Sequence, residues 1–199
     1  MTTYSQLLDY WFGKHTSDVD IITEKSALWW SKDTATDQDI ALRFGHDLER
    51  AARGEYNDWA DTPEGRLALI ILTDQFPRNI FRSTAKAFAQ DTLALGWCIE
   101  GMKYGADVQL RPVHRVFFYL PLEHSESLDH QHQSIECYTT LVESLPPEYK
   151  KAFSGFLDFA VKHHQIIERF GRFPHRNDIL GRKSTAAEIE FLRQPGSSF

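Results

Sequence analysis

The amino-acid sequence predicts an all-α protein that forms a single domain. Nearly every segment combines apolar residues at intervals of three or four with a residue type that commonly begins or ends a helix. No segment shows the sustained alternation of β-branched and polar residues that is typical of a half-buried strand. A chain of 199 residues with 42% hydrophobic residues is long enough for one core and short for two. We therefore expect one helical bundle or superhelix over residues 1–199, with about eight to ten helices.

The first three helices are predicted from stop signals and an apolar stripe. The first covers about residues 3–12 and ends at Gly13, because glycine readily adopts the left-handed conformation that often closes a helix. A second covers about residues 19–30. A third covers about residues 37–53 and ends at Gly54. The stripe on the third helix consists of Ile40, Phe44, Leu48 and Ala51, and it predicts the buried face.

The fourth predicted helix is the most apolar of the chain. Thr62 followed by Pro63 is a strong start, since threonine caps a helix and proline is tolerated at its first position. From residue 67 to residue 72 this helix is apolar on all sides, so it must be surrounded by other helices. Pro77 prevents its smooth continuation. Polar side chains are thus clustered at the end of a buried element, where they need partners: Asp74, Gln75, Arg78 and Asn79.

Ser83 is expected to begin the next helix, over about residues 84–104, which Gly105 ends. Its predicted apolar face comprises Phe88, Leu95, Ile99 and Met102. Pro112 then opens a short helix that Pro121 ends or kinks.

The last part of the chain contains three more predicted helices. One follows Ser127 and reaches about residue 144, and a long one begins at residues 146–147 and is stopped by Gly171. The segment up to residue 183 is expected to be an ordered loop. Ser184 is predicted to cap a final helix that ends before Pro195.

Composition excludes several classes of protein. The net charge of −6 argues against general nucleic-acid binding, which needs a broad basic face. The longest apolar run, residues 67–72, is far shorter than the roughly 20 residues that span a bilayer, so no membrane association is expected. No export signal is visible, which predicts a cytoplasmic protein. Cys98 and Cys137 lack C-x-x-C spacing and are expected to be core residues. The oligomeric state stays open.

No cofactor or metal site is predicted. The sequence has no GxGxxG, P-loop, GxSxG or HExxH pattern, which removes the common nucleotide, hydrolase and metalloprotease signatures. His164 and Glu168 share one helical face, with His163 beside them, but zinc normally takes three or four protein ligands in a recognised spacing.

Four longer stretches carry a resemblance to a known family: residues 67–79 (LALIILTDQFPRN), 118–126 (FYLPLEHSE), 169–177 (RFGRFPHRN) and 180–185 (LGRKST), with the closing residues 195–199. Together they resemble the bacterial family called domain of unknown function 924, over nearly the whole chain. The resemblance implies a tetratricopeptide-like superhelical fold, although the residues show no clean repeat of about 34 residues. It implies no catalytic assignment, so candidate sites rest on the residues themselves.

The segment from Arg169 to Asn177 is the sharpest anomaly in the sequence. From Arg169 to Lys183, five basic residues against one acid give +4, which leaves −10 for the rest of the chain. Arginine binds carboxylate or phosphate groups through a planar fork of donors. Two interpretations stay open. These arginines either bind an anion, or pair with carboxylates such as Asp74, Glu123, Glu126 and Glu168 and tie the loop to the core.

A second candidate lies on the predicted bend after Pro121. His124 and Glu126 could serve in general acid–base chemistry, since histidine titrates near neutral pH. Either side chain could instead cap the helix after Ser127. His175 in the arginine segment is a third candidate for acid–base chemistry.

Our leading hypothesis is a partly buried pocket that binds a small anionic molecule or a carboxylate-bearing peptide. The ligand-binding candidates are Asp74, Gln75, Arg78, Arg172, His175, Arg176, Asn177 and Arg182. Two alternatives remain: a hydrolase of a phosphate or acyl ester in the same pocket, with His124, Glu126 or His175 as catalytic candidates, and a protein-interaction scaffold.

Overall fold

The computed structural model describes residues 2–198, and this range is helical with no strand. The fold class is therefore confirmed as all-α. The α-helices of the described range are α1 (Tyr4–Phe12), α2 (Asp18–Trp30), α3 (Thr34–Ala52), α4 (Pro63–Ile70), α5 (Phe76–Ile80), α6 (Asp91–Lys103), α7 (Pro112–Glu123), α8 (Leu128–Ser144), α9 (Pro147–Phe170) and α10 (Ala186–Leu192). Short 3-10 turns cover Asn57–Asp61, Ala85–Phe88, Asp107–Gln109 and Pro174–Arg176. Met1 and the closing Phe199 lie outside the described residues.

Most helix ends form at the residues that the sequence indicates. Thr62 accepts a hydrogen bond from the Gly65 backbone N–H at 3.1 Å, as a helix cap should. Gly171 ends α9 in the left-handed conformation, with φ +67°. The predicted stripe on α3 is buried along its whole length. Local capping chemistry thus fixes the boundaries of the elements that carry the candidate site.

The central helix is the one that the sequence predicts. Every residue from 65 to 77 is buried, and α4 packs against α1, α6 and α7. Helical structure continues through Pro77, because one turn of π-helix, Ile71–Gln75, separates α4 from α5. Pro77 is thereby the second residue of α5, where its missing N–H costs no hydrogen bond.

The helix predicted over residues 84–104 is wrong in its first turns, and its predicted apolar face is buried only in part, since Leu95 and Met102 pack against the core whereas Ile99 is exposed. Ser83 does not cap it: this residue has φ +62°, and α6 begins only at Asp91 after a 3-10 turn. The buried face is made of Ala94, Cys98 and Gly101 instead of the larger apolar residues. Close packing explains this, since a side chain on Gly101 would lie 2.5 Å from atoms of Arg66 and Phe118.

Two smaller corrections concern helix ends. α7 runs two residues beyond Pro121. Its helical hydrogen bonds continue after the proline, and the His124 N–H donates to the Leu120 carbonyl at 2.9 Å. The last helix is capped by Thr185, one residue after the predicted Ser184, in a reciprocal pair of hydrogen bonds with Glu188.

The arginine segment rests on a small apolar cluster of its own. Ile166 and Ile167 of α9 pack with the buried Phe173. Phe170, at the end of α9, and Phe191 of α10 lie against this cluster. This cluster holds the loop against the end of α9. In the range 2–198, no helix is both long and apolar enough to cross a bilayer.

Candidate functional site

The π-helical turn after α4 presents Asp74 to the interior. Its hydrogen bond runs from the Phe76 N–H to the Ile71 carbonyl, five residues back, and such wide turns occur frequently at functional sites. The Asp74 side chain is fully buried, and Gln75 Nε2 donates to its Oδ2 at 2.5 Å. The most apolar helix therefore leads directly into a buried carboxylate.

Arg78 lies one turn after Asp74 and joins it to a second carboxylate. Its Nη1 donates to the Asp74 carbonyl oxygen at 2.7 Å and lies 3.4 Å from Asp74 Oδ1. Nη1 and Nη2 also donate to the two carboxylate oxygens of Asp91, at 2.8 and 3.1 Å. Asp91 reaches this position because α6 begins late, and the same break places the Phe88 ring 5.6 Å from the Arg78 guanidinium.

His124 completes this arrangement from the end of α7. Its Nδ1 lies 2.8 Å from Asp74 Oδ1, so the histidine and Arg78 meet at the same carboxylate oxygen. Burial raises the pKa of Asp74, but Arg78, His124 and Gln75 outweigh it and hold that pKa well below its usual range. An ionised carboxylate only accepts hydrogen bonds, so the Nδ1–H of His124 donates to it.

The other ring nitrogen of His124 is available for chemistry. No hydrogen-bond partner of Nε2 exists within residues 2–198, and 15% of the side chain is exposed. Burial and the nearby Arg78 lower the pKa of His124 below its ordinary value, although Asp74 opposes them. At neutral pH the ring is therefore uncharged, and Nε2 carries a free lone pair.

A second histidine–carboxylate pair lies behind the first. His163 Nδ1 lies 3.0 Å from Glu123 Oε1 and 2.8 Å from the Phe159 carbonyl oxygen, which requires the hydrogen to be on Nδ1. Burial, reinforced by the charge of Asp74, raises the pKa of Glu123 to about 8. Burial is also the main reason that the pKa of His163 is lowered to about 3. This pair is therefore uncharged near neutral pH.

Arg176 points inward from the arginine segment. Its guanidinium lies between the rings of Phe88 and Phe173, 4.6 and 4.5 Å from their centroids. The side chain is only 7% exposed, and the ion pair that it forms from Nη1 to Asp91 Oδ2 is long at 3.4 Å. Nε is buried and has no hydrogen-bond partner in the described part of the chain. Burial and the like charge of Arg78 lower the pKa of Arg176 to about 10.

We call Asp74, Arg78, Asp91, His124 and Arg176 the charge cluster. Its members form one chain of ion pairs. His124 and Arg78 both contact Asp74, and Arg78 and Arg176 both contact Asp91. His175 borders the cluster, and burial and Arg176 lower its pKa to about 4, so its ring is neutral at pH 7.

Other predicted site residues hold the arginine segment in place. Arg172 forms a two-pronged ion pair with Glu188 at 2.7 and 2.9 Å and also donates to the Lys183 carbonyl. Arg182 does the same with Glu126, whose Oε1 also accepts the Phe173 backbone N–H.

The remaining predicted residues near the segment are also engaged in structural bonds. Asn177 Nδ2 donates to Ser184 Oγ at 3.0 Å. Neither His124 nor Glu126 caps α8, because the former bonds Asp74 and the latter bonds the arginine segment. Ser127 begins α8 without a side-chain cap hydrogen bond.

The structure thus divides the predicted pocket into two groups. Asp74, Gln75, Arg78, His124 and Arg176 come together. Asp91, Phe88 and Glu188 were not predicted as site residues. The sequence pattern indicated a regular helix around Asp91 and Phe88 and gave no sign that Glu188 pairs with an arginine. Asp91 had one usable signal, since acidic residues favour the first turn of a helix. In residues 2–198, no group of three or more His, Cys, Asp or Glu side chains is arranged to hold a metal ion.

Residues 7–196 match the family described as "Bacterial protein of unknown function (DUF924)". The chain belongs to this family. The match contains every residue of the charge cluster and of the arginine segment, so the DUF924 region and the candidate site coincide in sequence.

The DUF924 chain is also similar to a solved structure of a protein of unknown function from Agrobacterium tumefaciens. The two chains are 35% identical, the likeness covers 95% of this chain and 96% of the other, and the TM-score is 0.81. No curated protein matches the chain. These similarities establish the fold and the family and leave the activity to be argued from the site.

Proposed function

We propose that this DUF924 protein binds a small anionic molecule at the charge cluster, with Arg176 as the main contact. The observation that carries this proposal is the incomplete pairing of a buried guanidinium. Normal N–H···O bonds are about 2.7–3.2 Å long, whereas the ion pair of Arg176 with Asp91 is 3.4 Å and its Nε lacks a partner. A buried donor without a partner costs about 1–3 kcal/mol. A carboxylate or phosphate oxygen of a ligand would remove that cost.

The balance of charge in the cluster is compatible with an anionic ligand. The guanidiniums of Arg78 and Arg176 are matched by the carboxylates of Asp74 and Asp91, and His124 adds a neutral ring. A bound anion therefore meets no excess negative charge, and it can be stabilised further by protonation of His124. Contacts with the rings of Phe88 and Phe173 restrict the orientation of the Arg176 fork, which favours two-pronged recognition of a carboxylate.

Three members of the cluster are partly exposed to solvent. Side chains of His124, Arg78 and Asp91 are 15%, 19% and 23% exposed, whereas Arg176 and Asp74 are almost fully buried. A small molecule can thus reach the exposed members and direct its anionic group inward. Such a site suits a small acid, or the carboxylate end of a peptide, better than a broad polymer.

Within this proposal the predicted pocket residues have two roles. Asp74, Gln75, Arg78 and Arg176, with His175 at the border, form the binding surface. Arg172, Asn177 and Arg182 support it by fixing the segment that carries Arg176. A cytoplasmic location and the tetratricopeptide-like arrangement stay predictions.

A protein-interaction scaffold has less support in the structure. Exposed large apolar side chains are spread over several helices, for example Leu42 on α3, Phe159 on α9 and Ile189 on α10. The charge cluster, by contrast, brings unusual chemistry together at one place, so we favour ligand binding.

Binding of inorganic phosphate, succinate and acetate, measured by isothermal titration calorimetry and by thermal shift, tests the proposal. We expect at least one anion to bind, and Arg176→Gln to weaken that binding about tenfold or more, since one charge-assisted contact is worth about 1.5–3 kcal/mol. Arg43→Gln is the matched control, because Arg43 forms an exposed ion pair with Asp39 on α3, outside the charge cluster. Equal affinity in the wild type and in Arg176→Gln, or an equal loss in both variants, contradicts the proposal.

A further inference from the structure

The Asp74–His124 pair has the geometry of a proton-transfer device. Asp74 Oδ1 accepts the Nδ1–H of His124, with 2.8 Å between Oδ1 and Nδ1. This hydrogen bond fixes both the tautomer and the orientation of the ring. Nε2 is left as the basic atom of a side chain that is 15% exposed. A buried carboxylate that orients a histidine in this way is the arrangement by which enzymes prepare a general base.

We propose that the protein hydrolyses an acyl ester whose free carboxylate is bound at Arg176. In this reaction His124 is the catalytic general base and Asp74 is a positioning residue. The inference rests on the proposed function, because the anion site is what would hold the ester beside His124. It goes further by assigning a reaction, a reacting atom and a substrate class.

The reaction is a water-mediated hydrolysis in two steps. His124 Nε2 takes one proton from a water molecule while the water oxygen forms a bond to the ester carbonyl carbon. The carbonyl electron pair moves to oxygen, and the resulting oxyanion is stabilised by the nearby Arg78 guanidinium. The electron pair then returns, the bond between carbon and the alkoxy oxygen breaks, and the proton on Nε2 passes to the leaving alkoxide. The products are a carboxylic acid and an alcohol.

Water is the nucleophile that the surroundings favour. No Ser, Thr or Cys side chain in residues 2–198 hydrogen-bonds to His124. Ser125 is adjacent in sequence, but its Oγ lies 2.9 Å from His130 Nδ1 and accepts the Ser127 N–H. Burial raises the pKa of Cys137 to about 12 and that of Cys98 well above its usual value, so neither thiol is activated.

The charged and titratable groups around His124 come from four elements. Asp74 and Arg78 belong to the central helical segment, and Asp91 belongs to α6. His163 of α9 faces the ring at a centroid distance of 6.2 Å, and the arginine segment contributes His175 and Arg176. The cations and burial keep His124 neutral and ready to accept a proton, and Asp74 stabilises the imidazolium that forms.

Hydrolysis of p-nitrophenyl hemisuccinate, followed as nitrophenolate release, tests the inference, with p-nitrophenyl acetate as the ester that lacks the free carboxylate. We expect the wild type to prefer the hemisuccinate. His124→Gln should lower kcat/KM about 100-fold or more, and Arg176→Gln should act mainly on KM. His130→Gln is the matched control, because that ring bonds Ser125 outside the cluster.

Two further measurements separate a catalytic role from a structural one. Added imidazole should partly restore hydrolysis in His124→Ala, which a folding defect would not permit. Asp74→Asn should move the acid limb of the pH–rate profile to lower pH, because the histidine loses a nearby negative charge. Wild-type turnover no faster than buffer, or equal turnover in His124→Gln, overturns the inference. Succinate binding that depends on Arg176 without turnover would sink this inference alone and leave the proposed function standing.

Discussion

Two buried histidine–carboxylate pairs lie side by side in this molecule, and their carboxyl groups differ in ionisation. His124 meets Asp74 at 2.8 Å, and His163 meets Glu123 at 3.0 Å, with the two rings 6.2 Å apart. The Asp74 carboxyl is ionised, since its pKa is held well below the usual range, whereas the pKa of Glu123 is raised to about 8.

The difference between the two pairs comes from their neighbours. Burial acts on both carboxyls and favours the protonated form. Arg78, with His124 and Gln75, reverses that tendency at Asp74, whereas the negative charge of Asp74 reinforces it at Glu123. The neighbouring groups, with Arg78 foremost, therefore decide whether a buried carboxyl is an anion that orients a base or a neutral acid.

Removal of the ionised carboxylate should have the largest effect. Asp74→Ala leaves Arg78 with one carboxylate and His124 with no acceptor, so we expect a loss of about 3–5 kcal/mol in the free energy of unfolding, measured by chemical denaturation at pH 7. Asp39→Ala is the control, because Asp39 pairs with Arg43 on the surface and such pairs contribute about 0–1 kcal/mol. Similar losses in the two variants would show that the buried pair is not special.

Removal of the guanidinium should make the first pair resemble a simple ion pair. Arg78→Met retains most of the side-chain volume and should cost about 2–4 kcal/mol, since Asp74 retains Gln75 and His124 and Asp91 is partly solvated. The pKa of His124 should rise, because the cation that lowers it is gone. Imidazole titration by NMR measures this directly, with His114 as the internal reference, because burial and Arg111 set its pKa. An unchanged titration of His124 would contradict the role given to Arg78.

The protonated carboxyl of Glu123 should make the free energy of unfolding depend on pH. The pKa of Glu123 is higher in the folded protein than its ordinary value of 4.5, so its contribution is complete below that value and is lost as the pH rises toward 8. The buried histidines His114, His163 and His175 have lowered pKa values, and their opposing contributions are complete by about pH 6.5.

Glu123→Gln mimics the protonated acid and should remove this dependence. The stability of the variant relative to the wild type should grow by about 1–2 kcal/mol between pH 6.5 and pH 8, as measured by denaturant unfolding at several pH values. A difference that stays constant over this interval would mean that Glu123 is already ionised at pH 6.5.

Much of the fold can be predicted from sequence because the signals are local. Thr62 and Gly171 act through their own backbone and the adjacent turn, so the boundaries of α4 and α9 follow from residue type. The central helix follows from residues 67–72, since an element without a polar side must be enclosed.

The site was predicted only in part because its pairings depend on tertiary contacts. The clustering of Asp74, Arg78 and His124 follows from polar residues beside a buried element. Asp91 and Glu188 could not be chosen as partners, because carboxylates are frequent and only the packing of α6 and α10 selects these two. The exposure of Ile99 on α6 has the same origin. The close approach of α4 requires small residues on the buried side of α6, so Ile99 lies on the outer side.

The π-helical turn at Ile71–Gln75 also has a consequence for the history of the chain. A wide turn holds one residue more than an α-helical turn, so a regular α-helix with the same number of residues would rotate everything that follows by about 100°. Substitutions that regularise this turn would therefore move Arg78 away from Asp91. Gene duplicates or descendants that use this site should keep the wide turn, even where the residues themselves have changed.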